Sequence, residues 1–176
     1  VATYARTGAT WAPQATLDTG NFTSGVLSSD GNTLAVNEGA FNPYDSTQTV
    51  DTTPVVRVFV QQGNGTWNQQ ARIPAGIFNW VTFGRVVDST IALSSDGNTL
   101  AVHALNQPGH PTTPELDLQP ADLSCGSLAA DAWYIALYAR NGTTWQRQTA
   151  ISRGLEGTWA LASDGNGLFY GNALFT

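Results

Sequence analysis

Short apolar runs rich in β-formers alternate with polar turns along the chain, and the alternation repeats. The phrase LSSDGNTLAV stands at Leu27 to Val36 and again at Leu93 to Val102, and it returns degraded as LASDGNGLFY at Leu161 to Tyr170. Each Asp-Gly pair predicts a tight hairpin turn of the primed type, because this dipeptide readily takes positive φ, and the flanking arms read as short strands. The arm Thr33 to Val36 is apolar at successive positions instead of alternating, the pattern of a strand covered on both faces. Leu34, Val36, Leu100 and Val102 are therefore expected in the interior, with the turn residues left exposed.

A second element recurs in step with the first. It reads YARTGATW (Tyr4 to Trp11), VQQGNGTW (Val60 to Trp67) and YARNGTTW (Tyr138 to Trp145). Each copy continues Trp-x-x-Gln-x-x-Leu/Ile, through Gln14 and Leu17, Gln70 and Ile73, Gln148 and Ile151. Alternation over Arg57 to Gln62, a Gly/Asn turn and a Trp opening the next strand make this a second hairpin. Trp11, Trp67 and Trp145 are expected to pack between sheets, where large rings supply area. Two hairpins per repeat predict four antiparallel strands.

The Asp-Gly pairs begin at 30, 96 and 164, so the period is 66 to 68 residues, long for a solenoid turn and suited to a propeller blade with decorated loops. The predicted class is all-β: a β-propeller of four-stranded antiparallel blades, about three per chain, with one blade split between the termini. The expected boundaries are a half blade at 1–20, blades at 21–75 and 76–153, and a half blade at 154–176. Closed propellers have about four to eight blades, so an unpaired edge is expected at each end of this chain. Ala2, Tyr4, Trp11 and Leu17 carry one edge, and Trp159, Leu161, Leu168 and Tyr170 the other. Such edges recruit partners: a second copy closing a six-bladed ring, a chain of copies in a filament, or the rest of a larger propeller.

The units LSSDGNTLAV, with Phe83-Gly84 ahead of its second copy, and YARNGTTWQRQTAI resemble FG-GAP-type repeats of bacterial and algal surface proteins. These are similar in pattern to the propeller of integrin α-subunits. The resemblance spans nearly the whole chain; the Ser-x-Asp-Gly-x-x-Leu hairpin is shared with WD40 and TolB-like repeats. It implies a propeller working at a cell surface. Integrin-type repeats often carry a calcium loop of alternating Asp and Asn, but no Asp-x-Asp-x-Asp-Gly segment occurs here. No metal site and no cofactor is carried over.

Composition fits that setting. Charged residues make up 11% of the chain, against about 25% in an average soluble domain, and its basic residues are all Arg. The net charge of −6 and the lack of a basic stripe argue against nucleic acid and anionic membranes as partners. No apolar run approaches a membrane span, and Val1 reads as a mature or excised start. Cys125 is the single cysteine, so neither an internal disulfide nor a thiolate zinc cluster can form. Asn21, Asn64 and Asn141 head sequons.

The segments Asn37 to Val56 and His103 to Ala132 are expected to be long loops that act as contact surfaces. His103 and His110, near Glu115, Asp117 and Asp122, match no established metal spacing. Nucleophile-elbow, zincin and phosphate-loop motifs are all missing, and no catalytic residue is assigned. The leading expectation is a non-catalytic, secreted or cell-surface binding and assembly module that oligomerises by pairing the split blade, serving adhesion or a structural polymer. A carbohydrate-binding propeller lectin is the second reading, with Trp80, Trp133 and Trp159 stacking on sugar rings. A hydrolase assembled across blades is the third.

Overall fold

The computed structural model describes residues 1–19, 22–38, 55–74, 90–106, 132–152 and 158–171. They form twelve strands: β1 (Ala2–Thr7), β2 (Thr10–Thr16), β3 (Phe22–Leu27), β4 (Thr33–Glu38), β5 (Val55–Gln61), β6 (Trp67–Pro74), β7 (Thr90–Leu93), β8 (Thr99–Asn106), β9 (Ala132–Asn141), β10 (Thr144–Ser152), β11 (Thr158–Leu161) and β12 (Leu168–Gly171). Among the described residues there is no helix, and hence none long and apolar enough to cross a membrane. The strands pair antiparallel as two four-stranded sheets, β3-β4-β5-β6 and β7-β8-β9-β10, flanked in sequence by the two-stranded sheets β1-β2 and β11-β12.

The turn phrase forms through its side chains. Gly31 N–H donates to Ser28 C=O at 2.9 Å and Ser28 N–H to Thr33 C=O at 2.8 Å, so four residues, Ser29 to Asn32, form the loop. The expected two-residue primed turn is thus replaced by a wider one, in which Gly31 alone of the Asp-Gly pair needs positive φ, here +74°. The reason lies in the hydroxyl and carboxylate. Asp30 Oδ1 accepts from Ser28 Oγ and from Asn32 N–H (3.0 Å), Asp30 Oδ2 accepts from Asn32 Nδ2 (3.0 Å), and Ser28 Oγ accepts Thr33 N–H at 2.9 Å. Side chains satisfy the backbone groups that a tighter turn would have paired. The second copy repeats this bond for bond through Ser94, Asp96, Asn98 and Thr99. Ser28, Ser94 and Gly97 are consequently buried, against the expectation of exposed turns, while Asp30 and Asn32 remain exposed.

Packing follows the apolar pattern. Ala35, Val56, Val58 and Ile73 on one face of the first four-stranded sheet meet Leu100 and Val102 of the second. On its other face Leu34, Val36 and Phe59 meet Leu17, Val1 and Ala15 beside the β1–β2 hairpin. The unbroken run Thr33 to Asn37 is buried throughout because both faces of β4 are covered. Two expectations need correction. Leu17 is a core residue at 8% exposure, not an edge. His103 begins no loop: it lies buried within β8, opposite Ile135 of β9.

Candidate assembly surface

The Trp-x-x-Gln repeat acquires its meaning from a register slip. In β1–β2 the pairing steps from Thr3–Ala15 to Tyr4–Pro13, in β5–β6 from Val58–Ala71 to Phe59–Gln69, and in β9–β10 from Leu137–Thr149 to Tyr138–Arg147. The skipped residue is Gln14, Gln70 or Gln148, a β-bulge at one place in three hairpins. A bulge re-aims its side chain, and Gln14 Oε1 accepts the indole N–H of Trp67 from the next sheet at 3.2 Å. At the equivalent positions of the two following sheets, Gln70 Oε1 and Trp145 Nε1 are both buried without a hydrogen bond. Trp67 and Trp145 each close an interior cluster between sheets, as expected. Trp11 does not: among the described residues no other sheet covers it, and it is 64% exposed. At the other end the bulged Gln148 is also exposed.

The turns stack in step with the sheets. Ser29 N–H donates to Ser95 C=O at 2.9 Å, and Ser95 N–H to Ser163 C=O at 2.7 Å. A Cβ on Gly97 would collide with Thr33, and one on Gly165 with Thr99, because each glycine lies against the preceding turn. Gly31 has no such neighbour; a Cβ there would meet nothing within 4 Å. The ladder thus ends in Ser29 C=O on one side and Ser163 N–H on the other.

At the Gly31 end a groove of about 580 Å³ opens between β1 and the β3–β4 turn, lined by Tyr4, Trp11, Leu27, Gly31, Leu34 and Trp67. Tyr4 is 58% and Leu27 53% exposed, an apolar concavity beside the edge of β1 that no described strand pairs. The outer edge of the opposite hairpin is β12, which among the described residues pairs with β11 alone, through Thr158–Gly171 to Leu161–Leu168.

The edge residues named from sequence therefore divide. Ala2, Tyr4 and Trp11 are exposed on the β1–β2 hairpin. Leu161 and Leu168 are half-buried on β11–β12, and Tyr170 lies on β12 opposite Trp159. Trp159 is half-buried and donates its indole N–H to Thr90 Oγ1 at 2.9 Å, with its ring tilted 43° to His103 at 5.9 Å between centroids. Trp133 lies on β9 opposite Leu105. Trp80, Phe83, Asn21, His110, Cys125 and the acidic trio Glu115, Asp117 and Asp122 lie outside the described residues. Among the described residues no group of three His, Cys, Asp or Glu side chains could hold a metal ion. Sequence reading assigns Gly31 to a turn and Leu27 to a strand arm, and gives no surface role to either, to the bulged glutamines or to the second serine of each turn. The recurrence of Gln at a fixed distance from Trp was the available signal. Comparison with known proteins returns no match: no protein-family model, curated protein or solved structure matches the chain.

Proposed function

We propose that this chain is a non-catalytic β-propeller module of a secreted or cell-surface protein, whose sheets are blades and whose activity is self-association. The observation that supports the reading is that, among the described residues, β1–β2 is a Tyr-Ala-Arg hairpin paired with no Asp-Gly hairpin, and β11–β12 an Asp-Gly hairpin paired with no Tyr-Ala-Arg hairpin. Joined, they make a third blade like the two complete ones. Two copies then supply six blades, within the roughly four to eight of closed propellers, and pair the β1 and β12 edges. Adhesive or scaffolding use fits a polar surface poor in charge and free of Lys.

The experiment is mass by light scattering and sedimentation over a wide concentration range. A dimer that dissociates on dilution is expected. A monomer at every concentration overturns the reading.

A further inference from the structure

The two complete sheets state how an Asp-Gly hairpin meets a Tyr-Ala-Arg hairpin. In the first, Thr33, Leu34 and Ala35 stand opposite Val60, Phe59 and Val58; in the second, Thr99, Leu100 and Ala101 stand opposite Ala139, Tyr138 and Leu137. Both start with one backbone bond, Gln61 N–H to Asn32 C=O and Arg140 N–H to Asn98 C=O, each 2.8 Å. That bond fixes the alternation of the ladder. The pairs Leu34–Phe59 and Leu100–Tyr138 are of the hydrogen-bonded kind, and Ala35–Val58 and Ala101–Leu137 of the close, non-hydrogen-bonded kind. By repeat position, Tyr4 and Arg6 correspond to Tyr138 and Arg140, and Asn166 and Leu168 to Asn98 and Leu100.

We propose that the groove between β1 and the β3–β4 turn is the seat of the β11–β12 hairpin of a second copy, docked with Leu168 opposite Tyr4, Phe169 opposite Thr3 and Tyr170 opposite Ala2. The proposal rests on the self-association proposed above and specifies its joint. Three independent features have their open ends at this joint. Asn166 C=O receives Arg6 N–H across the strands. Ser163 N–H of the incoming hairpin reaches Ser29 C=O, continuing the turn ladder by one step. The exposed Trp11 turns its indole N–H to Gln148 of the second copy, as Trp67 does to Gln14. The incoming turn also suits its seat. Ala162 and Gly167 replace the Ser and Thr that crowd the glycine at the two internal steps, and Gly31 is the glycine with open space in front of it.

The test is disulfide capture in a Cys125→Ser background. One chain carries Thr3→Cys and the other Phe169→Cys, a close non-hydrogen-bonded pair whose Cβ atoms lie within disulfide reach. The control mixes Tyr4→Cys with Phe169→Cys, one residue out of register, so that the two thiols fall on opposite faces. Oxidation is expected to trap the Thr3→Cys/Phe169→Cys heterodimer and to lose that band in the control. Oligomers that form without this cross-link, or with equal cross-linking in the control, overturn the proposed joint while self-association stands. Absence of oligomers in both the parent and the cysteine variants overturns joint and self-association together.

Discussion

Replacing Gly97 with alanine adds one methyl group where Thr33 and Ser28 of the preceding turn already stand, on a backbone at φ +68°. Replacing Gly31 imposes the same backbone strain, about 1–2 kcal/mol for an L-residue in this region, with nothing within 4 Å of the new atom. In the monomer, Gly97→Ala should therefore lower stability clearly more than Gly31→Ala in paired denaturant melts; equal losses would mean the turns do not stack as described. The hydroxyl of Ser94 is buried and receives Thr99 N–H at 2.8 Å, so Ser94→Ala leaves a backbone donor unsatisfied and should cost about 1–3 kcal/mol. Hydrogen bonds from Ser28 and Ser94, and then from Asn32 and Asn98, hold the Asp30 and Asp96 carboxyls below their usual value of 3.8. A lowered folded-state value means the unfolded chain takes up protons first. The stability these groups contribute is complete above the usual value and drains away as pH falls below it, through the lowered one. Unfolding measured against pH should show that acid limb, and the double variant Asp30→Asn, Asp96→Asn should flatten it.

At the scale of elements, the same residues explain why some of this structure was legible in the sequence. Leu100 sits at 0% exposure between two sheets, and its place was readable because a run apolar at consecutive positions admits cover on both faces. Leu100→Ala should cost about 2–4 kcal/mol in denaturant melts, and a loss below about half a kcal/mol, the usual range of a surface substitution, would show that β8 is not central. Strand number and antiparallel pairing were legible for the same reason: two hairpins repeat in full. The turn width was not, because Asp-Gly satisfies both the two-residue primed turn and the four-residue loop, and the choice depends on Ser28 and Thr33 bonding across it. The glutamine bulge was also hidden. Its residue looks like ordinary strand alternation, and the role appears only where another sheet brings an indole to Gln14. Packing between sheets, expected of all three tryptophans, holds for Trp67 and Trp145, whereas Trp11 is 64% exposed among the described residues.

On the scale of the whole molecule, the proposed joint between copies is heterologous: the β11–β12 hairpin of one copy would meet the β1 edge of the next. Such a joint can close or propagate. In a six-bladed dimer the second joint forms within an assembly whose translational and rotational freedom is already lost, so it adds its contacts without repeating that cost. An open filament lacks this advantage and keeps an exposed edge at each end. The wild-type chain should therefore give one discrete dimer, and a ladder of sizes would show that the joints do not close. Complementation separates the two joints. In the proposed joint Tyr4 and Leu168 face one another in a hydrogen-bonded position, so proline at either would remove an N–H pointing across the joint and spare the bonds within its own hairpin. Tyr4→Pro spoils the seat and leaves the incoming hairpin intact, whereas Leu168→Pro does the reverse. Each variant alone should be monomeric. Their mixture retains one good joint and should form a heterodimer weaker than the wild-type dimer, with nothing larger, as read by sedimentation of differently labelled chains. Homodimers of either proline variant at wild-type strength would place the contact elsewhere on the molecule.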